Sequence, residues 1–434
     1  MSHNEDMIEY LRVPIQGDLN ILWGQLEYSG WIQEQLSWKD SCYIGDWSFI
    51  WQKTLTGPDA MKLLTDHCVN SFAKFSVGQA KHFSMCDDDG KIIHEGIVLR
   101  MAENKFMIYA LGSYYLEWRA QTLGYDVEME VYEGYNLQVS GPTSINALEK
   151  ACGESLRDIA FMHVREIEIA GHKVGALRQG MAGEIGFELI GPLAEREKIW
   201  NAVVDAGEEF GLQRMGARVA MINHLEACFP TIGWDYMPAI FGSDMTSYVD
   251  KLRTEIPGLL DMFLRVKGSL ESDDPKSWYK SPIELGWKKN IKFDHDFRGK
   301  QALMAEVQEP RREIVTLEWN AEDVADVYES AFDPSRPMYT YMEMPRDMRG
   351  HMVADQVLNA EGEVVGVSTS RGYSVYFRRM LSLCSIDVAY TEPGTTVTVV
   401  WGDPGTEQKR IRATVAPAPY KKDNRRADLT ALPS

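Results

Sequence analysis

The sequence lacks the residue patterns that mark a disulfide framework or a metal centre. Its six cysteines are scattered through 434 residues without a C-x-x-C pair, and its nine histidines form no H-E-x-x-H motif. His67 and Cys68 are adjacent, but neighbours on a helix point about 100° apart and cannot readily share a metal ion. The sequence therefore disfavours a disulfide scaffold and a zinc site, and we predict no metal.

Positive charge and long apolar runs are also scarce. The chain has 64 acidic against 45 basic residues, a formal net charge of -19, and such a field repels nucleic acid and anionic membrane surfaces. No apolar run approaches the roughly 20 residues that span a bilayer. The start, MSHNEDMIEYLRV, is acidic and lacks the apolar segment of a signal peptide. We expect a cytoplasmic protein with no nucleic-acid or membrane partner, and a homo-oligomer stays open.

The chain does contain a recurring pattern of strand, Gly-Pro and amphipathic helix. It occurs in TLTGPDAMKLLTDHC, LQVSGPTSINALEKAC and FELIGPLAEREKIWNAVV. Proline loses no needed hydrogen bond in a first helical turn, and glycine permits the sharp entry. This alternation predicts an α+β region, and the length of the chain favours two or three domains.

The character of the sequence changes after residue 250. Residues 251–296 are irregular and polar, and SLESDDPKSW is the stretch predicted to be least ordered. Short alternating strands such as VVGVSTSRGYSVYF and TTVTVVW then predict a small β-barrel or sandwich. The final segment, KKDNRRADLTALPS, is predicted to be a solvated tail.

A glycine-rich segment, GMAGEIGFELIGP at residues 180–192, places three glycines around Glu184 and Glu188. It is not a dinucleotide fingerprint, because a strand and not a helix follows the glycines. From the residues alone, Glu188 either lies on the solvent face of a hairpin or points at a ligand. CDDDGKIIHEGIVLR predicts a second hairpin with its turn at residues 88–90, and in isolation Glu95 would lie on its solvent face.

Seven segments, taken in chain order, resemble the glycine-cleavage T-protein superfamily of tetrahydrofolate-dependent methyl and aminomethyl transferases. They are DWSFIWQKTLTGPDA, DDDGKIIHEGIVLR, GMAGEIGFELIGP, MGARVAMINHLEACFPTIG, ELGWKKNIKFDHDFRGKQAL, VVGVSTSRGYS and IRATVAPAPY. The resemblance covers roughly residues 25–421. The resemblance implies an α+β T-protein-like fold with ferredoxin-like α/β subdomains and a C-terminal small β-barrel. It divides the chain into a folate-binding domain (1–48 and 140–250), an α/β subdomain completing the folate cleft (49–139), a linker region (251–310), the barrel (311–421) and a tail (422–434).

The same resemblance implies a tetrahydrofolate site. Glu188 takes the place of the family glutamate that binds the 2-amino-pyrimidine edge of the pterin, where a carboxylate can accept two parallel N–H bonds. The glycines beside it would let backbone approach the flat ring. Arg218, in the G-A-R motif, takes the position of the second folate residue. Glu95 stands where the aminomethyl transferases have a catalytic aspartate, and Ile50 and Tyr109 fall among further folate-contacting positions.

Within the superfamily the sequence resembles the bacterial aryl methyl-ether O-demethylases, which act on vanillate- and syringate-like acids. The predicted substrate pocket contains Phe49, Trp51 and Tyr114, and aromatic side chains favour a small methoxyaryl substrate. Two features depart from that branch. Ala220 stands where it has a working tyrosine, and residues 109–115 contain no base to hold a substrate carboxylate.

These features predict a tetrahydrofolate-dependent O-demethylase that yields a phenol and 5-methyltetrahydrofolate. The departing phenolate must be protonated or stabilised. The candidate catalytic residues are Tyr236, the first choice because its loop is expected to line the cleft, His224 and His94. Two alternatives stay open: demethylation of a sulfonium or amine, which needs an aromatic cage, and a folate-binding protein without transfer activity.

Overall fold

The computed structural model describes residues 3–12, 24–180, 183–260, 264–348 and 351–432. Its α-helices are α1 (His3–Arg12), α2 (Trp31–Asp40), α3 (Ala60–His67), α4 (Gly112–Leu123), α5 (Ser144–Cys152), α6 (Arg196–Gly207), α7 (Ala217–Ala227), α8 (Thr246–Glu255), α9 (Lys300–Gln308) and α10 (Ala321–Ser330). None of the helices in these ranges combines the length and apolar character that a bilayer span requires.

The strands fall into two large sheets, a two-stranded pair and a barrel. Up to residue 215 they are β1 (Cys42–Asp46), β2 (Gln52–Thr56), β3 (Ala80–Cys86), β4 (Ile92–Ala102), β5 (Lys105–Tyr109), β6 (Glu128–Val131), β7 (Gly134–Ser140), β8 (Val164–Ile169), β9 (His172–Arg178), β10 (Gly186–Pro192) and β11 (Leu212–Met215). The later strands are β12 (Val266–Lys267), β13 (Arg312–Trp319), β14 (Met352–Val353), β15 (Asp355–Leu358), β16 (Val364–Ser374), β17 (Arg379–Asp387), β18 (Thr396–Trp401) and β19 (Lys409–Ala416).

The first sheet has six strands in the order β11-β1-β7-β10-β9-β8. Only the pairing of β1 with β11 is parallel. Helices α5 and α6 bury Ile145 and Leu148, and Ile199 and Val203, in its core. Spacings of three and four residues place each pair on one face of its helix, which is why the segments after two of the Gly-Pro dipeptides form amphipathic helices.

The second sheet has five antiparallel strands in the order β3-β4-β5-β2-β6. The predicted hairpin is present as β3 and β4, joined through the turn at residues 87–91. The core of this sheet includes Leu63 of α3, Leu116 of α4 and Tyr248 of α8, all fully buried. Helix α8 therefore packs with the second sheet and brings the Tyr248 hydroxyl into its interior.

The C-terminal barrel is closed, in the order β13-β17-β16-β15-β18-β19, as the alternating strands predicted. In β18, Val397 and Val399 are buried whereas Thr396 is exposed, the period-two pattern of a strand with one face in a core. The indoles of Trp319 and Trp401 meet edge to face inside it, with ring centroids 5.9 Å apart.

Two regions that were predicted to be poorly ordered or solvated are packed against the rest of the protein. Within SLESDDPKSW, Ser269 and Trp278 are buried, and the Ser269 hydroxyl donates to the Val400 carbonyl oxygen at 2.6 Å. The described part of the predicted tail, 422–432, lies on the first sheet, where Leu429 is 1% exposed. Its backbone accepts a hydrogen bond from Arg178 at the Ala427 carbonyl oxygen. Apolar residues and carbonyl groups in the tail find partners that lie far away in sequence.

The sheets also divide the chain at different points from the predicted domains. Strand β7, which the boundary at residue 140 assigns mostly to the second subdomain, pairs with β1 and β10 in the first sheet. Helix α1 contributes Leu11 to the core of the second sheet, although residues 1–48 were expected in the first.

Candidate active site

A cavity lies where the two sheets meet and encloses about 1130 Å³ of empty space, part of it open to solvent. It brings together eight of the predicted site residues: Phe49, Ile50, Trp51, His94, Glu95, Tyr109, Glu188 and His224. Others in its lining are Trp47, His82, Asn136, Gln179, Phe229, Thr231 and Trp234. Strands β4 and β5 supply one wall, β7 and β10 another, and α7 with the loop after it a third.

Glu188 is buried at the cavity wall and does not lie on the solvent face of a hairpin. It lies in the middle of β10, paired with Gln138 of β7 and Leu177 of β9, and it is 4% exposed. Asn136 Nδ2 donates to its carboxyl at 3.3 Å. Burial raises the pKa of Glu188 to about 7, partly offset by this hydrogen bond. A buried acid with one protein donor at a cavity wall has capacity to accept more hydrogen bonds.

Three further polar atoms in the cavity lining are buried without a hydrogen-bond partner among the described residues. They are Asn136 Oδ1, Gln179 Oε1 and His224 Nε2. A buried polar atom that lacks a partner costs free energy, so the cavity is polar at the positions where a ligand could supply hydrogen bonds. With Glu188, these atoms form a set of acceptors.

His224 of α7 presents an acceptor to this cavity. The Thr231 hydroxyl donates to the Phe229 carbonyl oxygen at 3.2 Å, so its oxygen accepts from His224 Nδ1 at 3.0 Å. Burial lowers the pKa of His224 to about 3, and the ring is neutral at pH 7. With the proton on Nδ1, the lone pair of Nε2 is available to a ligand. The Trp47 indole stacks on the imidazole, with centroids 5.3 Å apart, and fixes the ring plane.

His94 of β4 presents a hydrogen-bond donor, whereas His224 presents an acceptor. The Tyr248 hydroxyl, fully buried, lies 2.6 Å from His94 Nε2 and has no other partner among the described residues. The hydroxyl must therefore donate, because its hydrogen would otherwise be buried without an acceptor. Burial lowers the pKa of His94 to about 3, so the ring is neutral and its proton is on Nδ1. His94 is thereby a hydrogen-bond donor and His224 an acceptor.

Glu95 is held by a histidine of the neighbouring strand and does not lie on a solvent face. Asn290 Nδ2 donates to His82 Nδ1 at 3.2 Å, which leaves His82 Nε2–H to donate to the Glu95 carboxylate at 2.8 Å. Next to it, Gly96 approaches β5 so closely that a Cβ would lie 2.3 Å from the Tyr109 carbonyl oxygen. This approach brings Glu95 and Tyr109 into one cavity wall.

Three predicted site residues do not line the cavity. Arg218 donates to Glu27 at 2.6 Å and to the Met344 carbonyl oxygen at 2.8 Å. The Tyr114 ring lies under the ammonium of Lys53, 3.9 Å from its centroid. Both side chains therefore bind other parts of the protein.

The third of these residues is Tyr236, our first choice for the proton donor, and it does not line the cavity. Its loop was expected to line the cleft, but the side chain is fully buried in an apolar cluster with Ile92 and Trp287. Its hydroxyl has no hydrogen-bond partner among the described residues. Apolar packing of the aromatic ring outweighed solvation of its hydroxyl, which the sequence could not indicate.

The glycines of residues 180–192 serve chain packing and do not line the cavity. A Cβ at Gly180 would lie 1.7 Å from the Glu184 carbonyl oxygen, and one at Gly186 would lie 2.7 Å from Ser140 Oγ. Gly183 has a φ of +71°, which favours glycine. These glycines face other protein atoms, and none of them is among the residues that line the cavity.

Asn136, Gln179 and Tyr248 belong to the site but were not among the residues predicted from the sequence. One signal was present, because β7 reads GYNLQVS and carries Asn136 and Gln138 in a strand that is buried throughout. A buried polar residue calls for a hydrogen-bond partner, and here the partner of Asn136 is Glu188. Tyr248 had no such signal, since it lies 154 residues from His94. Among the described residues, no group of three or more His, Cys, Asp or Glu could hold a metal ion.

Comparison with known proteins places this geometry in a family. The sequence model described as "GCVT N-terminal domain" matches residues 22–245. The chain belongs to this family. It is 38% identical to a sesamin methylene transferase of Sinomonas sp. (strain No.22), over 94% of this chain and 93% of that protein. It is 34% identical to a syringate O-demethylase of Sphingobium sp. (strain NBRC 103272 / SYK-6), over 91% and 89%.

A solved structure shows that the fold is also that of the family. The glycine cleavage system aminomethyltransferase T from Bartonella henselae superimposes with a TM-score of 0.68, covering 98% of each chain at 19% identity. The predicted T-protein-like α+β fold with its closed barrel is confirmed. This GCVT-family chain is an enzyme that transfers one-carbon groups and uses tetrahydrofolate, so the alternative of a protein without transfer activity is set aside.

The residues of the cavity fit that cofactor. A reduced pterin is flat and carries several N–H donors along its edge, and the cavity offers the Glu188 carboxyl and the free oxygens of Asn136 and Gln179. Indole and phenol rings on its walls provide apolar faces of the kind that enclose a planar ring. The donor and acceptor inventories of the two partners are complementary.

Proposed function

We propose that this enzyme transfers the methyl group of a methoxylated aromatic compound to tetrahydrofolate, giving a phenol and 5-methyltetrahydrofolate. The observation that carries the proposal is a single aromatic-walled cavity that holds a buried acid, Glu188, together with an imidazole donor, His94. The similarity to a syringate O-demethylase supports an aryl methyl ether as the substrate.

Glu188 and its neighbours bind and orient the cofactor in this proposal. The Glu188 carboxylate accepts N–H bonds from the pterin edge, and Asn136 keeps the carboxyl in place. Tetrahydrofolate, when bound, supplies the nitrogen nucleophile that accepts the one-carbon group. Orientation of two reactants can contribute about 7–11 kcal/mol of the barrier, so rigid placement of Glu188 within a six-stranded sheet serves catalysis.

The two neutral histidines act on the two reacting atoms, His94 as a hydrogen-bond donor and His224 as an acceptor. The methyl carbon leaves the aryl oxygen and bonds to nitrogen, so the aryl oxygen must gain a proton and the amine must lose one. His94 Nδ1–H donates a hydrogen bond to the departing oxygen and stabilises its negative charge, because Tyr248 occupies Nε2. The neutral imidazole keeps this proton, and the phenolate takes its own proton from solvent on release. His224 Nε2 is the acceptor, because its Nδ1 proton is directed at Thr231. His224 lies one helical turn after Ala220 on α7.

Substrate selection belongs to the aromatic walls in this proposal. Phe49, Trp51 and Tyr109 present ring faces or edges to the cavity, and planar aromatic ligands pack well against such surfaces. Six free cysteines in the described part of the chain are typical of a reducing compartment, and we place the enzyme in the cytoplasm.

The test is incubation of the purified enzyme with tetrahydrofolate and three sets of donors: methoxybenzoates, dimethylated sulfonium compounds and methylated amines. Mass spectrometry of the folate pool should show 5-methyltetrahydrofolate with the aryl set. Formation with the sulfonium or amine set alone would instead establish that alternative. His94→Phe should reduce kcat about 10²- to 10³-fold, the usual effect of removing one hydrogen-bond donor that stabilises a developing anion.

A matched control exists for the His94 variant. His67 is also a buried histidine whose pKa burial lowers, to about 4, but it lies outside the cavity lining. His67→Gln should leave kcat within about twofold. Loss of activity in both variants, with equal loss of stability, would remove His94 from its role as a hydrogen-bond donor to the departing oxygen.

A methylene donor is the second candidate, and the 38% identity to a sesamin methylene transferase favours it. A methylenedioxy ring has two C–O bonds to one carbon, so both aryl oxygens must be protonated in turn. Methylenedioxybenzene derivatives should be included in the panel. The mass of the folate product separates a methylene adduct from a methyl adduct and so decides between the two candidates.

A further inference from the structure

A second, smaller pocket lies beside the barrel and encloses about 340 Å³ of empty space. We call it the barrel pocket; its lining is Trp234, Arg346, Asp347, His351, Val353, Ser370, Arg371 and Trp401. Trp234 lines both this pocket and the main cavity. The barrel pocket is therefore adjacent to the site of the proposed reaction, on the side of the C-terminal barrel.

Arg346 brings an unpaired cation into the barrel pocket. Arg346 is only 8% exposed, and the one acceptor of its side chain in the described part of the chain is the Asp347 carbonyl oxygen, 3.2 Å from Nε. Neither terminal nitrogen has an acceptor within the described ranges, and no described carboxylate lies within 4.0 Å of the guanidinium. A planar guanidinium with two free terminal nitrogens is suited to a bidentate carboxylate.

Arg371 adds a second buried cation. It is 7% exposed, and its terminal nitrogens donate to the Glu343 carbonyl oxygen at 2.9 Å and to the Met380 sulfur at 3.3 Å. These acceptors are neutral, and within the described residues no carboxylate pairs with Arg371. Its guanidinium carbon lies 5.1 Å from the centre of the Trp401 ring, which holds it beside the pocket.

Asp235, Asp347 and Glu343 are the acids whose charges act on Arg346, and none lies within ion-pair distance of its guanidinium. Asp347 itself lines the pocket and lies 3.5 Å from His351 Nε2. Asp235 raises the pKa of Arg346 by its charge, yet its carboxylate accepts from the Thr369 hydroxyl at 2.7 Å and from the Thr231 amide at 2.8 Å. Burial is the larger influence and lowers the pKa of Arg346 to about 10, so it remains a cation at pH 7. Asp347 therefore offsets the two buried cations only in part, and a ligand that supplies a closer anion would lower the free-energy cost of burying them.

We propose that the barrel pocket binds a carboxylate group, carried either by the aryl substrate or by the glutamate tail of the folate. The proposal rests on the proposed function for the identity of these two sources. Both present the same planar anion, and Arg346 with its two free terminal nitrogens is its primary ligand. Arg346 would also supply the positively charged side chain that a substrate carboxylate needs and that residues 109–115 lack.

Four ligands, measured by calorimetry on the full chain, separate the sources. Tetrahydrofolate is compared with 6-methyltetrahydropterin, which has no glutamate, and 4-hydroxy-3-methoxybenzoate with 2-methoxyphenol, which has no carboxylate. Arg346→Gln should weaken the carboxylate-bearing member of one pair at least tenfold and leave the other member within twofold. Loss confined to tetrahydrofolate identifies the tail, and loss confined to the benzoate identifies the substrate.

Two controls keep the test decisive. Arg379→Gln removes a barrel arginine that is half exposed and outside both pockets, and it should change none of the four affinities. Arg346→Lys keeps the charge but loses the bidentate geometry, so it should weaken the same ligand by less than Arg346→Gln. Arg346→Gln should not lower the Tm, because it removes a buried cation that no described carboxylate pairs with.

Unchanged affinity for both carboxylate-bearing ligands in Arg346→Gln and Arg371→Gln would overturn the proposal. So would an equal loss for both members of a pair, which would indicate a general structural effect. Failure of the proposed function would look different, because the wild-type enzyme would then form no 5-methyltetrahydrofolate from 2-methoxyphenol or any other aryl ether, whatever the arginine variants bind.

Discussion

At the scale of single residues, Glu188 is the side chain whose environment departs most from its ordinary chemistry. It is a carboxyl in the middle of a strand, with Asn136 as its hydrogen-bond partner and a pKa that burial raises to about 7. Perturbed acids in a cleft are frequent at functional sites. Its two states differ in what they can bind, because the ionised form only accepts hydrogen bonds whereas the protonated form also donates one.

We expect Glu188→Gln to weaken tetrahydrofolate binding about 10- to 100-fold, since hydrogen bonds to charged groups contribute about 1.5–3 kcal/mol. Calorimetry at pH 8 measures the change. Glu184→Gln is the matched control, because Glu184 lies in the same glycine-rich segment but binds Asn424 and does not line the cavity. Equal affinities for wild type and Glu188→Gln would make Glu188 a structural residue only.

The raised pKa of Glu188 also predicts a pH dependence of stability. A folded-state pKa of about 7 against an ordinary value of 4.5 means that the folded protein holds this proton more tightly than the unfolded chain. The resulting stability is fully present below pH 4.5 and is lost as the pH rises through 7. Relative to Glu188→Gln, the unliganded wild type should lose about 3 kcal/mol across this range. Urea unfolding of both proteins at pH 5 and pH 8 measures it, and a pH-independent difference would contradict it.

Tyr236, unlike Glu188, is a buried polar residue that does not line the cavity. Its hydroxyl is buried without a described partner in an apolar cluster, and removing an unsatisfied buried group is neutral or stabilising. We expect Tyr236→Phe to retain full transfer activity and to raise the free energy of unfolding by about 1 kcal/mol. A slowed transfer with unchanged stability would return Tyr236 to the mechanism.

At the scale of elements, strands that are distant in sequence bring the cavity walls together. His94 and Glu95 come from β4, Asn136 from β7 and Glu188 from β10. The register of β10 against β7 places Glu188 opposite Gln138, and a shift of one residue would turn the carboxyl to the other face of the sheet. The sheet register is thus a determinant of the site.

The C-terminal segment is a second element whose packing matters. Leu429 is 1% exposed within the core of the first sheet, and truncating a buried leucine costs about 2–5 kcal/mol. We expect Leu429→Ala to destabilise the protein by this amount in thermal or denaturant unfolding. Leu193→Ala is the control, because Leu193 is 41% exposed and should change stability by less than about 0.5 kcal/mol. Equal effects would indicate that the segment is solvated in solution.

At the scale of the whole molecule, the cavity joins structural units that have separate cores. Both sheets and α7 contribute to its lining, so a ligand there contacts groups that separate when the protein unfolds. Binding to the folded state alone stabilises it by about 2.7 kcal/mol at 100 times the Kd. The affinity of the site should therefore be visible in global unfolding.

We expect tetrahydrofolate at 100 times its Kd to raise the Tm by a few degrees. Scanning calorimetry measures the shift, and Glu188→Gln at the same ligand concentration should show a smaller one. A shift of equal size in both proteins would place the cofactor away from Glu188. No shift in the wild type at concentrations that saturate binding would contradict a site formed only in the folded protein.

The sequence alone determined the features that depend on near neighbours along the chain. Alternating residues after position 311 specified barrel strands, Asp and Gly at 88–90 specified a hairpin turn, and apolar spacing specified the helices after two Gly-Pro dipeptides. The family motifs added the cofactor and Glu188, which the residues by themselves left between a surface position and a ligand contact. These are local patterns, and local conformation follows from them.

Only the tertiary structure decided the properties that depend on distant partners. Tyr248 fixes the tautomer of His94 and Thr231 that of His224, Tyr236 enters a core, and Leu429 leaves solvent for the first sheet. The physical reason is that a side chain's protonation, hydrogen bonds and exposure depend on what packs against it in space. The order of residues along the chain does not reveal which of them pack against a given side chain. Those partners are defined only when the sheets and the barrel have assembled.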